Sequence, residues 1–63
     1  MKKRLLEVLK RERYGIKDLA KWLDVTYQTA YNKVNAITAW TYDDLLKLSK
    51  VIGKKNLDYI FFS

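Results

Sequence analysis

Ile16, Leu19, Ala20 and Leu23 recur at i, i+3, i+4 and i+7, the spacing of a helix with one apolar face, and only Asp24-Val25-Thr26 separates this run from a second helical stretch, Tyr27 to Val34. So tight a helix-to-helix junction needs a residue near left-handed geometry, which Asp tolerates better than most residues other than glycine. With Asp24 in that role, Val25 points into the core. Thr26 starts the next helix as its N-cap, its hydroxyl oxygen facing the amides of the first turn. Ala30 and Val34, four apart, give this helix a narrow buried stripe, and the small Ala30 lets the two helices lie close. The rest of the chain must fit around this pair.

Both flanks read as helical too. In Lys2 to Arg13, Leu5, Leu6, Val8 and Leu9 mark one buried stripe. Tyr14-Gly15 interrupts it, Gly15 ending the first helix and capping the second, whose first residue is Ile16 and last Leu23. Asn35-Ala36-Ile37-Thr38-Ala39-Trp40 is a connection, with Asn35 a left-handed C-terminal residue. Helix four starts at the N-cap Thr41, with Asp44 completing a capping box and Asp43 and Asp44 at the positive end of the dipole. Its inward residues are Leu45, Leu48 and Ile52, flanked by Tyr42, Leu46 and Val51, and Gly53 ends it. Asn56 caps a fifth helix in which Leu57, Ile60 and Phe61 face inward, while Trp22 and Trp40 are core or core-edge residues.

The chain has 63 residues, no proline and only two glycines, so residues 1–63 form a single domain with no linker. A domain this small buries only about 60% of the surface its unfolded chain exposes. With no Cys and no His, neither disulfides nor a Cys/His zinc site can staple it. Apolar packing must suffice, and nine aromatic residues in a chain that is 49% hydrophobic can supply it. The expected fold is all-α, a compact five-helix bundle.

Thirteen Lys and Arg against seven Asp and Glu give a net charge of +6, which suits a polyanionic partner. Residues 1–13 hold six of the basic and two of the acidic groups, so the central helix pair is itself nearly neutral. No enzyme chemistry is visible: no Cys or His, no serine-centred triad, no phosphate-binding glycine loop, and Asp43-Asp44 serves better as capping than as an acid/base pair. Neither a cofactor nor a metal is expected. Charges interrupt the apolar residues after Lys2-Lys3-Arg4, and no stretch is long and apolar enough to span a bilayer, so a soluble, cytoplasmic protein is expected.

With Ala30 and Val34 turned inward, Tyr27, Gln28, Tyr31 and Asn32 fall on the outer face of helix three. Gln28 and Asn32 stack at i, i+4, and either amide can pair bidentately with adenine in the major groove of DNA. Tyr27 and Tyr31 can meet thymine methyls or phosphates. Lys17, Thr26, Thr29, Lys33 and Asn35 lie where contacts to the DNA backbone usually fall. A plainer reading leaves Tyr27 and Tyr31 covering the edge of a small core and Asn32 solvated.

The run Leu19-Ala20, Leu23, Val25-Thr26, Gln28 to Asn35, Asp44-Leu45-Leu46-Lys47-Leu48-Ser49 before Gly53, and Leu57 to Phe62 resembles the lambda-repressor-like helix-turn-helix domains, the Cro and phage-repressor group, and within it the small phage regulators of Gram-positive hosts. The resemblance spans nearly the whole chain. It implies a five-helix fold with the helix-turn-helix at helices two and three, and a sequence-specific transcriptional regulator occupying a double-stranded DNA operator. It also implies a homodimer on DNA through the last helix or tail, here Tyr59, Ile60, Phe61 and Phe62, although these four can instead simply close the core. Three positions depart from the family pattern: Ile16 for a common Gln, Asp24 for the usual turn glycine, and Ala36 for a glycine after helix three. Two other readings remain: a helix-turn-helix module that binds protein, such as an antitoxin or anti-repressor, and a peripheral membrane peptide using Lys2 to Arg13.

Overall fold

The computed structural model describes residues 2–35 and 40–62. They form five helices: α1 (Lys2–Arg11), α2 (Ile16–Leu23), α3 (Tyr27–Val34), α4 (Tyr42–Ile52) and α5 (Lys54–Phe61), with no strand among the described residues. This is the all-α, five-helix bundle that the spacing predicts. Helix α2 packs on α3 and α4, while α5 packs on α4 and α1, and α1 also touches α3. Every element therefore shares one core, in which Leu5, Leu9, Leu19, Leu23 and Leu48 are almost fully buried. The radius of gyration, 10.3 Å, is close to the ~11 Å expected for one domain of this length. No helix among the described residues is long and apolar enough to cross a membrane.

Helices α1 and α2 end alike, each with a left-handed residue that is not glycine. Asp24 (φ 57°, ψ 47°) lets the amide of Val25 reach back to the carbonyl of Ala20 at 3.0 Å, and its own amide points to the carbonyl of Lys21. Arg13 (φ 64°) does the same for α1, with Tyr14 N–H donating to the Leu9 carbonyl at 2.7 Å and Arg13 N–H to that of Lys10. Both are the two-bond C-terminal closure that satisfies orphan carbonyls. The expectation for Asp24 holds, whereas α1 stops at Arg11 rather than Arg13, and Gly15 does not supply the positive φ. Gly15 is extended, and its amide donates to Asp18 Oδ2 at 2.9 Å, a cap supplied by a side chain from inside α2.

Gly53 is the glycine that the backbone requires. At φ 86° and ψ 156° it ends α4 and begins α5 in a conformation almost closed to residues with a Cβ, although open space surrounds the position where one would stand. Asn56 consequently lies inside α5 instead of capping it. Its Nδ2 donates to the Ile52 carbonyl at 2.7 Å, and its Oδ1 accepts from Arg11 Nη2 at 2.6 Å. Asn35 also departs from expectation, with an ordinary right-handed φ of −86°. Leu6, Tyr42, Leu46 and Val51 are exposed, Tyr42 at 76%, because one stripe per helix is enough to fill so small a core.

Candidate functional site

The outer face of α3 collects the polar and aromatic groups predicted to share it. The helix starts at Thr26, whose Oγ1 accepts from Thr29 N–H at 3.2 Å and donates to Thr29 Oγ1 at 3.0 Å, so both hydroxyls belong to the cap. One turn on, Gln28 Nε2 donates to Asn32 Oδ1 at 3.1 Å. The two amides form one unit, leaving Gln28 Oε1 and the Asn32 Nδ2 hydrogens directed elsewhere. Tyr27 and Tyr31 form the adjacent column at 56% and 44% exposure, each with about half of its surface open to solvent. Lys17 is exposed in the first turn of α2, the helix against which α3 packs. Asn35 Nδ2 donates to the Tyr31 carbonyl at 2.8 Å and closes the last turn.

Lys33 is the correction. Expected at the surface as a contact to the DNA backbone, it is only 6% exposed, and its Nζ donates to Asp44 Oδ2 at 2.7 Å. The reason is helical phase: Lys33 lies three residues beyond Ala30 and one before Val34, which turns its stem toward α4. Asp44 Oδ2 also accepts from Thr41 N–H at 3.0 Å, while Asp44 N–H donates to Thr41 Oγ1 at 3.1 Å, so the predicted capping box is present and carries the ion pair too. Trp40 closes the cluster. Its indole N–H donates to the Lys33 carbonyl at 3.0 Å, and its ring lies 5.9 Å from the Lys33 ammonium. Burial alone would raise the Asp44 pKa, but the hydrogen bonds from Lys33 and Thr41 and the Lys33 charge outweigh it and hold the carboxyl below its ordinary value.

The four C-terminal candidates divide. Ile60 is in the core, and Phe61 is half-buried, its ring edge-on to Trp40 at 5.3 Å. Tyr59 is half-buried against α1: its hydroxyl donates to Glu7 at 3.0 Å, its carbonyl accepts from Arg4 Nη1, and the Arg4 guanidinium lies 5.0 Å from its ring centre. The Glu7 hydrogen bond holds its phenol above its ordinary pKa. Only Phe62 is broadly exposed, at 68%. Thus most of this tail closes the core, as the plainer reading allows, because α5 packs on both α1 and α4. Trp22 and Trp40 stand at the core edge as expected, Trp22 edge-on to Tyr14 at 4.7 Å.

The arrangement is an exposed surface rather than a cleft. No cavity opens among the described residues, and none of their acidic groups cluster so as to hold a metal ion. Sequence reasoning missed the Lys33–Asp44–Trp40 cluster, whose one available signal was the phase of Lys33 beside Val34. The departure at Ala36 lies outside the described residues. No family model, curated protein or solved structure matches the chain.

Proposed function

We propose that this chain is a sequence-specific, duplex DNA-binding transcriptional regulator of the lambda-repressor-like type, with α3 entering the major groove of an operator. The observation that carries the reading is the outer face of α3, where the hydrogen-bonded Gln28 and Asn32 amides run beside the column of exposed Tyr27 and Tyr31 on a helix seated against α2. A major groove admits one helix of this kind, and its base edges offer donor and acceptor patterns that amides match. Lys17, Thr26, Thr29 and Asn35 are the remaining candidates for the DNA backbone, with Lys33 removed from that set. A two-fold dimer on DNA would place two copies of α3 about 34 Å apart, and Phe62 is the tail residue left to serve it.

Selection from a random duplex library tests this reading, the expected result being a defined consensus whose affinity falls with rising salt. In gel shifts on that consensus, Gln28→Ala should cost roughly 1–3 kcal/mol of discrimination. Unchanged preference in that variant would remove Gln28 from the reading face. A second reading, a helix-turn-helix module that binds protein, is favoured by the burial of Lys33 and the exposure of Tyr27 and Tyr31, since tyrosine is enriched and lysine depleted at protein interfaces. Absence of salt-sensitive binding to any duplex, with a stable protein complex recovered instead, would favour it.

A further inference from the structure

We infer that the buried Lys33–Asp44 pair is a positioning device: it fixes the direction of α3 relative to α4, and so the pose in which Gln28 and Asn32 are presented. The inference rests on the DNA-binding reading above for its functional consequence, but not for its geometry.

Helix α3 has little apolar surface with which to hold its direction. Its buried apolar residues are Ala30 and Val34 alone, and it packs on α2 and α1, whereas α4 packs on α2 and α5. The backbones of α3 and α4 do not approach each other closely, so their relative direction is set through α2 and by the side chains that bridge the two helices. Lys33 and Asp44 provide such a bridge, with side chains 8% and 10% exposed and a 2.7 Å contact. Neither end of the bridge is loose. Asp44 is fixed to the start of α4 by its reciprocal bonds with Thr41, and the end of α3 is fixed by the Trp40 indole on the Lys33 carbonyl.

Energetics separate positioning from stabilisation. Removing two charges from water largely offsets their attraction, so apolar or neutral groups of similar volume often serve stability as well or better. Directional bonds do something that neutral packing does not, because a satisfied polar network tolerates one arrangement. Among the described residues no buried side-chain polar atom lacks a partner, so the network is closed. Asn32 lies in the last turn of α3 beside Lys33, with Gln28 about one turn before it, and a rotation there carries the amide pair with it.

The test uses the double variant Lys33→Met/Asp44→Asn, in which the ammonium is gone and the amide introduced on α4 retains an acceptor for Thr41 N–H. Three quantities are read: melting temperature, affinity for the selected duplex against a scrambled duplex, and the direction of α3 relative to α4 from residual dipolar couplings of the free protein. The expected result is a folded variant melting within about 5 °C of the parent. Its scrambled-duplex affinity should be unchanged, while its specificity ratio falls at least about tenfold and α3 is reoriented. A folded variant with the parent's specificity ratio and helix direction overturns the inference, as does a variant that no longer folds, since the pair would then be a stability element. If the parent protein selects no duplex, the DNA-binding reading fails by itself. Helix direction then decides alone, with a shift supporting the positioning role and no shift overturning it.

Discussion

At its N-terminal end α3 is held by Thr26, one residue outside the helix, through an exposed hydroxyl and a contact three residues long. At its C-terminal end it is held by Asp44 and Trp40, eleven and seven residues away, through a buried ion pair and an indole hydrogen bond. The first kind of contact forms as soon as the helix does, because cap and amide are neighbours in the chain. The second exists only once α4 has docked. A helix fastened in this way is pinned at the end away from its capping turn, and its outward groups lie along the length between. The contrast predicts that the two ends respond differently to substitution, in size and in what is lost.

Lys33→Ala should have the largest effect. It leaves the Asp44 carboxylate buried without its ammonium, a change costing about 3 kcal/mol, which is severe in a domain of this size. Thermal or urea denaturation measures it, and a loss below ~1 kcal/mol would show that the C-terminal end is no better anchored than the other. Acid should act on the same point. The folded Asp44 pKa lies below its ordinary 3.8, so the stability it contributes is complete above that value and is lost as pH falls through the folded value. Melting temperatures measured from neutral to strongly acidic pH should therefore fall in the acid range for the parent protein, and less steeply for Asp44→Asn.

What is legible without coordinates follows the same division. Thr26, the left-handed Asp24, the Thr41/Asp44 box and the break at Gly53 are local: each depends on residues within a few positions, whose side-chain chemistry fixes the geometry. So does the stacking of Gln28 and Asn32 on one face, which follows from their i, i+4 spacing, although the hydrogen bond between them emerges only in the structure. Lys33 escapes such a reading because a lysine is usually solvated, and what overrides that is a carboxylate brought in by tertiary packing. Asn56 and Tyr59 escape it for a similar reason, since their partners Arg11 and Glu7 come from α1 at the far end of the chain. Arg13 defeats the expectation that a nearby glycine takes the positive φ.

Trp40→Phe sharpens the comparison with a smaller effect. The ring and its edge-on contact with Phe61 are largely retained, but the Lys33 carbonyl loses its N–H donor, so about 1 kcal/mol should be lost. Amide exchange should then quicken in the last turn of α3 ahead of its first turn. Equal quickening at both ends would contradict a pin confined to the C-terminal end.

Thr26→Ala should be the mildest, at about 0.5–1 kcal/mol, because the cap is exposed and water can replace its hydroxyl at the freed amide of Thr29. Its value lies in what should remain intact. The Lys33–Asp44 and Trp40 contacts do not involve Thr26, so the direction of α3 against α4 should be unchanged, and only the first turn should fray. On the proposed function, that fraying reaches Thr26 and Thr29, assigned to the DNA backbone, before it reaches Asn32. Affinity for selected and scrambled duplexes should therefore decline together in Thr26→Ala, leaving their ratio within about twofold, because contacts to phosphate position the protein and carry no sequence information. A variant that lost the ratio while keeping its affinity for the scrambled duplex would mean that the cap, and not the ion pair, governs how the amide pair is presented.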